Sequence, residues 1–312
     1  TSWDCADRNF KPVYIRTIRV STGTTRETRT APPVVRLSIH VSDARPGMAV
    51  RLCGKLQSQA FGVIDMPCDA IICDWNGTII EYRDEKPLLD HIATDVFKSC
   101  VPFRPVRMAR ILRARSKLEK LYAKAHRDAE FDFLREMFRV YNELIIRGVP
   151  VSWVHRSVDA YAAREETQAR LDLRVLQPVE AFHRVGKPTG ILSAGYGYGI
   201  EAILRAAGHE GSFDFCEADL LREANGEAIE FGLNIYGNKQ GVLLKLLRST
   251  DMDASRLAYI GDSEDDEGCF EIVGHPIVSL MAPEEVKERY ASKYNAFVPA
   301  NEDDLANYLR RA

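Results

Sequence analysis

Three short segments of the chain begin with apolar residues that are followed directly by oxygen-bearing side chains. They lie at 71–78, 190–195 and 258–266. Asp74, Ser193 and Asp262 stand at these points, and a lysine, Lys239, precedes the third segment. Paired carboxylates are ligands that Mg²⁺ prefers, and a single carboxylate can also attack phosphorus. A hydroxyl and an ammonium group neutralise phosphate oxygens as the transition state forms. The residue types therefore indicate phosphoryl transfer assisted by Mg²⁺.

Strands that alternate with helices after residue 175 predict how these side chains meet. The pattern predicts strands at 189–192, 213–217, 257–260, 276–280 and 296–298, and helices at 200–207, 240–247 and 303–310. Such alternation is typical of an α/β fold with a parallel sheet covered on both faces. Ligand sites in these sheets lie at the carboxyl ends of the strands, so Asp74, Ser193 and Asp262 are expected to converge on one edge.

The remaining segments predict two further parts. Residues 1–66 are rich in β-branched residues and turns, with possible strands at 13–20, 34–41 and 48–56, which indicates a small β module. Residues 84–173 have apolar residues at helical spacing, interrupted at 148–150, which indicates an inserted helical region. The predicted core is then formed by 67–83 together with 174–312.

The amino-acid composition indicates which broad class of protein this is. The chain has 312 residues, of which 46% are hydrophobic and 28% charged, as expected for a globular protein. Its longest apolar runs are too short to span a bilayer, so no membrane partner is predicted. The seven cysteines form no CxxC pair, which indicates neither a zinc knuckle nor a disulfide framework and favours a cytoplasmic location. The sequence leaves the oligomeric state open.

Four motifs in this order resemble the haloacid dehalogenase superfamily of phosphohydrolases, above all its phosphoserine-phosphatase-like branch. The family's first motif, Asp-x-Asp-Gly-Thr, is matched by Asp74-Trp-Asn-Gly-Thr78, and its second by the strand that ends at Ser193. Its third motif, a lysine, is matched by Lys239, and its fourth, Gly-Asp-x-x-x-Asp, by 261–266. The resemblance covers about half of the chain and implies a Rossmann-like parallel sheet with a helical cap inserted after the first motif.

The resemblance also implies a role for each matching residue. Asp74 would be the nucleophile and a Mg²⁺ ligand, joined by the backbone carbonyl of Asn76 and by the carboxylate of Asp262. Asp266 would support these ligands or bind the ion directly, with Asp265 as an alternative. Residues that would bind or shape the phosphate site are Thr78, Ser193, Ala194, Gly195 and Lys239.

Asn76 departs from the family pattern. The phosphatases of the family have an aspartic acid here, which protonates the leaving oxygen and later activates water, whereas an amide cannot cycle a proton. Three explanations stay open: a natural variant that works without this acid, an engineered trapping variant, or a non-catalytic relative that binds a phosphorylated ligand. We expect a phosphomonoester phosphatase, and the alternative is a weakly active or non-catalytic binding module.

The inserted region is strongly basic. Between Lys98 and Arg127 ten lysines and arginines face one acidic residue, Glu119. In a cap that covers the active site, Arg110 and Lys117 would contact an anionic small-molecule substrate beyond its transferred phosphate. Binding of nucleic acid is the weaker alternative, because a basic run with few aromatic residues favours phosphate contacts over base recognition.

Overall fold

The structure, a computed structural model, describes residues 19–21, 36–38, 68–101, 103–128 and 131–311. The chain divides into two compact units, Thr1–Ala60 and Phe61–Ala312. In the first unit, strands β1 (Arg19–Ser21) and β2 (Arg36–Ser38) form an antiparallel pair, within or beside the strands predicted at 13–20 and 34–41. The strand predicted at 48–56 and the predicted boundary at residue 66 lie outside the described residues.

A five-stranded parallel sheet organises the second unit. Its strands are β3 (Ala70–Cys73), β4 (Thr189–Tyr196), β5 (Phe215–Asp219), β8 (Leu257–Gly261) and β9 (His275–Val278). They lie in the order β5-β4-β3-β8-β9, and every neighbouring pair is parallel. All five carboxyl ends therefore meet at one edge, with β3 in the middle. This confirms the predicted α/β fold class.

Alternate residues of β3 pack against opposite faces of the sheet. Ile71 and Cys73 belong to the apolar core on one face, whereas Ala70 and Ile72 belong to the core on the other. Because side chains alternate along a strand, a strand buried on both faces has a continuous apolar sequence. The run Ala-Ile-Ile-Cys satisfies this requirement, and all four residues are buried.

Helices occupy most of the chain between β3 and β4. They are α1 (Lys86–Cys100), α2 (Pro105–Ala125), α3 (Phe133–Tyr141), α4 (Val151–Ala162), α5 (Glu165–Gln168) and α6 (Leu173–Arg184). A π-helical turn, Asn142–Ile146, extends α3. The predicted break at 148–150 separates this turn from α4. Within the break, Gly148 has a φ of +74°, a conformation that favours glycine.

The chain after β4 adds further helices to the sheet. They are α7 (Gly197–Ala206), α8 (Lys239–Thr250), α9 (Glu267–Phe270), α10 (Glu284–Tyr294) and α11 (Glu302–Arg311). A hairpin of β6 (Leu221–Ala224) and β7 (Glu227–Phe231), which sequence analysis missed, lies between β5 and α8. Each predicted helix in this part overlaps an observed one.

The prediction of a strand at 296–298 is wrong. Phe297 forms a single parallel bridge with Ile277, through its amide to the Pro276 carbonyl and through its own carbonyl to the Val278 amide. Pro299 follows two residues later and has no amide hydrogen to donate, so the pairing does not extend into a strand.

None of the helices in the described part of the chain combines the length and apolar content that a membrane span requires. The described cysteines are free thiols: Cys68, Cys73, Cys100, Cys216 and Cys269.

The central strand generates a prediction about stability. Ile72 is fully buried, so Ile72→Ala removes apolar contacts and leaves a cavity, and we expect a loss of about 2–5 kcal/mol in the free energy of unfolding. The control Val185→Ala, at a site that is 67% exposed, should change stability by less than about 0.5 kcal/mol. Urea unfolding followed by circular dichroism measures both, and equal shifts for the two variants would contradict the central position of β3.

Candidate active site

The loop after β3 places Asp74 at the carboxyl edge of the sheet. The Asp74 amide donates a hydrogen bond to the Ile260 carbonyl of β8 at 2.8 Å, and the side chain is buried. Gly77 follows with a φ of +71°, and a Cβ atom there would lie 2.2 Å from Oδ2 of Asp262. Only glycine therefore permits this close approach of the first and fourth motifs.

Carboxylates from distant parts of the sequence converge at this edge. Asp74, Asp262 and Asp266 each offer a carboxylate oxygen, and these oxygens lie within 4.8 Å of one another. Thr78 donates a hydrogen bond from Oγ1 to Oδ1 of Asp262 at 3.4 Å. The parallel sheet thus brings together residues that are almost 190 positions apart, as the strand-end argument predicted.

Lys239 provides a buried positive charge among these acids. It is the first residue of α8, and its Nζ lies 2.7 Å from Oδ1 of Asp266, 2.9 Å from Oδ1 of Asp74 and 3.7 Å from Oδ2 of Asp265. Burial alone would lower the pKa of Lys239, but the carboxylates of Asp266 and Asp74 outweigh that effect and raise it. The amine therefore stays protonated and can neutralise an anion beside Asp74.

Asp266 is fully buried and uses both of its carboxylate oxygens in hydrogen bonds. Oδ1 accepts from Lys239 Nζ at 2.7 Å and from the Tyr259 hydroxyl at 2.8 Å. Oδ2 accepts from the amides of Asp262 and Ser263 and from the Ser263 hydroxyl, at 3.0–3.1 Å. Burial favours the protonated acid, but the Lys239 charge and these donors lower its pKa overall. Asp266 is thus arranged to hold Lys239 and the Asp262 loop in place.

Asp265 occupies a different position from Asp266. Its Oδ1 accepts a hydrogen bond from the Gly237 amide at 2.9 Å, and the residue lines the cavity described below. Burial raises the pKa of Asp265, and the Lys239 charge opposes this shift. Asp265 reaches the cavity. Asp266 is enclosed, but its carboxylate lies close to those of Asp74 and Asp262. Both residues therefore stay candidates for support of a metal site.

The electrostatics of Asp74 and Asp262 suit a bound cation. Burial, followed by repulsion from Asp266, raises the pKa of Asp262 to about 7. Burial also raises the pKa of Asp74, with opposition from Lys239 and reinforcement from Asp266 and Asp262. A divalent ion between the carboxylates would remove this repulsion, and an all-oxygen donor set is what Mg²⁺ prefers. The residues present therefore fit Mg²⁺.

Ser193 and its neighbours form the adjoining strand end. Ser193 is buried in β4, which runs four residues beyond the predicted strand, to Tyr196. The Ser193 hydroxyl oxygen accepts a hydrogen bond from the Gly195 amide at 3.0 Å. Ala194 lines the same cavity as Ser193. The predicted phosphate-binding segment is therefore at the same edge as Asp74.

A cavity of about 110 Å³ lies at this edge. Predicted site residues line it: Asp74, Asn76, Ser193, Ala194, Lys239 and Asp262. The lining also includes residues that sequence analysis missed, namely Arg83, Asp84 and Glu85 before α1, Leu134 and Phe138 of α3, and Leu233 and Tyr236 after β7. A phosphorylated molecule in this cavity would meet acids, Lys239 and an apolar wall.

Asn76 and Glu85 form a pair inside the cavity. The Asn76 side-chain amide donates a hydrogen bond to Oε1 of Glu85 at 3.2 Å. Gly195 leaves room for this carboxyl, since a Cβ there would lie 2.4 Å from Oε1 of Glu85. Burial raises the pKa of Glu85 to about 7, and the hydrogen bond from Asn76 opposes the shift. No local pattern in the sequence distinguishes Glu85 from its acidic neighbour Asp84, so only the fold identifies it.

Arg110 and Lys117 do not belong to the residues that line this cavity. Both lie in α2, where the Arg110 guanidinium donates a hydrogen bond to the Glu143 carbonyl. Their predicted contact with a substrate therefore stays a prediction that no contact among the described residues supports.

A larger cavity, about 600 Å³, lies between α1, α2 and α3. Its walls are mostly apolar, with Phe97, Leu118 and Met137 among them, and an Asp90–Lys86 ion pair on one side. None of the four motifs contributes a residue to it. Size alone would favour this cavity, but the chemistry of the smaller one makes that one the candidate active site.

Comparison with known proteins supports the fold. No protein-family model matches the sequence, and a search of curated proteins finds no match. Among solved structures, a cytosolic 5'-nucleotidase IIIB bound to cytidine superposes with a TM-score of 0.53 at 18% identity, over 80% of this chain and 87% of the other. A probable phosphoserine phosphatase from Vibrio cholerae gives 0.51 at 14% identity, over 79% of this chain and 68% of the other.

A protein of unknown function from Bordetella pertussis Tohama I also superposes, with a TM-score of 0.51 at 14% identity, over 74% of this chain and 98% of the other. The order of the strands in the sheet and the positions of the four motifs agree with the fold of these neighbouring structures. The chain has the haloacid dehalogenase fold. In this haloacid dehalogenase fold, the cavity at the strand ends is the place where the motif residues meet.

The buried Glu85 generates a prediction about pH. Because burial raises its pKa from 4.5 to about 7, the folded protein retains a proton that the unfolded chain releases between these values. Glu85 therefore lowers stability progressively as pH rises through this window. In EDTA, Glu85→Gln should become more stable relative to the parent as pH rises from about 4.5 to about 7, by on the order of 3 kcal/mol.

The control for this experiment is Glu166→Gln, which replaces an exposed acid in α5. Its stability relative to the parent should change little over the same pH range, because Glu166 is exposed to solvent in the folded protein as in the unfolded chain. Thermal melts at several pH values measure the difference. A stability difference for Glu85→Gln that is flat with pH would contradict the burial argument.

Proposed function

We propose that the protein is a Mg²⁺-dependent phosphomonoester hydrolase that acts through an aspartyl-phosphate intermediate on a phosphorylated small molecule. The observation that carries this proposal is the convergence of the Asp74 and Asp262 carboxylates beside the Lys239 ammonium in one cavity. The neighbours named as a phosphoserine phosphatase and a 5'-nucleotidase support the same class of reaction.

In the first step, a carboxylate oxygen of Asp74 attacks the phosphorus atom of the substrate. An oxygen–phosphorus bond forms to Asp74, the bond to the leaving oxygen breaks, and that oxygen departs with the electron pair. Lys239 and Ser193 would bind the phosphate oxygens, where negative charge is distributed in the transition state. The contact between Lys239 Nζ and Oδ1 of Asp74, at 2.9 Å, also orients the nucleophile.

In the second step, a water molecule attacks the phosphorus atom of the aspartyl phosphate. The bond from phosphorus to the Asp74 oxygen breaks, the Asp74 carboxylate is restored, and both hydrogens of the water leave with the product as dihydrogen phosphate. Asp266 keeps Lys239 in position through both steps, because its own hydrogen bonds fix the carboxylate that holds the amine.

The Mg²⁺ site would comprise the carboxylates of Asp74 and Asp262 and the backbone carbonyl of Asn76, with Asp266 in support. When bound, Mg²⁺ supplies positive charge that neutralises the phosphate oxygens. The raised pKa values of Asp74 and Asp262 favour a cation there, since each carboxylate is destabilised by burial and by its acidic neighbours.

The helices between β3 and β4 would act as the cap. Leu134 and Phe138 of α3 reach the cavity and would contact the leaving group, which restricts water around the reacting atoms. The exposed Arg83 at the same cavity is a second cation available to an anionic substrate. A cytoplasmic location stays a prediction from the sequence.

Asn76 favours a second candidate function. An amide cannot deliver a proton to the leaving oxygen, so a protein with the same binding residues could bind a phosphorylated ligand without hydrolysing it. Both candidate functions use Lys239 and Ser193 to bind phosphate. They differ in whether the bound phosphate ester is then hydrolysed.

The nucleophile provides the first test. With p-nitrophenyl phosphate and Mg²⁺, the parent should release phosphate, whereas EDTA or the substitution Asp74→Asn should abolish release, because both remove a requirement of the first step. The control Glu166→Gln changes an exposed acid of α5 that lies outside the cavity lining, and it should retain activity. Phosphate release by Asp74→Asn at the parent rate would exclude the aspartyl-phosphate route.

Asn76 generates a second test, on the leaving group. Without an acid at this position, the leaving oxygen departs as an anion, so kcat should fall steeply from nitrophenyl phosphate to an alkyl phosphate. Asn76→Asp should restore a proton donor and raise kcat for the alkyl phosphate by about 10²–10⁴-fold, with a smaller gain for nitrophenyl phosphate.

Binding without turnover would support the other candidate. If neither the parent nor Asn76→Asp hydrolyses any phosphomonoester, while both bind orthovanadate or a phosphorylated ligand by calorimetry, the protein is a binding module. Equal leaving-group dependence in the parent and Asn76→Asp would contradict the role assigned to position 76.

A further inference from the structure

The positive charges of α2 form a single stripe. Arg110, Arg113, Lys117, Lys120 and Lys124 are separated by three, four, three and four residues. With 3.6 residues per turn, this spacing places all five on one side of the helix, and we call them the cationic stripe. It extends for about 21 Å along the helix axis at 1.5 Å per residue.

The side of α2 next to the stripe is packed inside the protein. Ile111, Ala114 and Leu118 are buried there, and the helix packs against α3 and the π-helical turn. In the cationic stripe, Arg113, Lys120 and Lys124 are exposed, and Arg110 and Lys117 are partly exposed. Most of the stripe is therefore open to solvent along the edge of the buried face.

Acidic side chains of the described residues do not neutralise the stripe. The acid within this segment, Glu119, pairs with Arg115, and both lie off the stripe. None of the ion pairs among the described residues joins a stripe cation to a carboxylate. Arg110 donates to a backbone carbonyl, and Lys124 lies over the Phe131 ring at 4.0 Å. Both contacts leave the positive charge in place.

We propose that the cationic stripe binds the phosphate backbone of double-stranded nucleic acid without reading its sequence. A duplex carries one negative charge per about 1.7 Å of its axis, so a stripe of this length spans about twelve phosphates. Five cations that have no acidic partners among the described residues can contact about five of these phosphates. The stripe contains no aromatic side chain, which excludes the stacking platform that single-strand binding requires.

Two other anionic partners fit less well. A helix that binds a lipid surface inserts a continuous apolar face between its basic residues, but the apolar face of α2 is buried against the protein. Among the exposed apolar residues of this region, Val106 lies on the stripe side four residues before Arg110, Phe103 precedes the helix, and Leu112 lies on another side, so the three form no continuous apolar face. An acidic helix would lack the charge density of a duplex, and the stripe offers it no apolar seam.

The test compares a stripe variant with a matched control. The stripe variant is the triple change Arg113→Gln, Lys117→Gln and Lys120→Gln. The control is Arg184→Gln, Lys245→Gln and Arg248→Gln, which removes the same number of exposed charges from other helices. Thermal melts confirm that each variant is folded, and the probe is a fluorescent blunt duplex of about 20 base pairs, read by anisotropy.

The parent should bind the duplex, and its affinity should fall about 10²–10³-fold between about 50 and 200 mM NaCl, as expected for about five phosphate contacts. The stripe variant should bind more than about 10-fold more weakly at low salt, and its log–log salt slope should be smaller by about 3. The control variant should bind the duplex with nearly the affinity and the salt slope of the parent. Any remaining difference should be the small one that the loss of three positive charges from the net charge produces.

Several results would overturn the proposal. The parent could fail to bind the duplex, or the stripe variant could bind it as tightly as the control does. Tighter stripe-dependent binding of phosphatidylserine vesicles, or of polyglutamate at equal charge, would assign the surface to another partner. None of these outcomes depends on hydrolysis of a phosphomonoester, so this inference can fail while the proposed enzymatic function stands, and the reverse also holds.

Discussion

The candidate active site depends on the balance of buried charge around Lys239. One ammonium group contacts Asp74 and Asp266, and Asp262 lies within 4.8 Å of both acids. Buried charges are costly unless they are paired and hydrogen-bonded. Asp266 is fully compensated by five donors, whereas Asp74 and Asp262 are not, and their raised pKa values express that deficit. An excess of negative charge of this kind attracts a cation, and the positive charge of that cation and of Lys239 would then offset the charge of an anionic phosphate.

The fold meets this requirement through backbone geometry. Parallel strands bring their carboxyl ends to one edge, so β3, β4 and β8 deliver Asp74, Ser193 and Asp262 without long side chains. Gly77 allows the first and fourth motifs to approach more closely than any side chain would permit. The rigid sheet therefore sets the distances, and the loops only complete them.

The inserted helices combine two kinds of surface. Leu134 and Phe138 of α3 contribute an apolar wall to the candidate active-site cavity. Helix α2 carries exposed cations, and Arg110 and Lys117 are absent from the cavity lining. The basic character of the insert therefore has no evident role in the chemistry at Asp74. It is better explained by an anionic partner of the surface, and this separates the proposed binding function from the proposed hydrolysis.

The sequence alone determined the fold class, the parallel sheet and most of the residues at the sheet edge, because local apolar runs and terminal polar residues carry that information. Tertiary structure alone decided the pairing of Asn76 with Glu85, the enclosure of Asp266 and the direction in which the cations of α2 point. It also decided that 296–298 forms one bridge and that 221–231 forms a hairpin. These features depend on contacts between residues far apart in the chain, which no local pattern encodes.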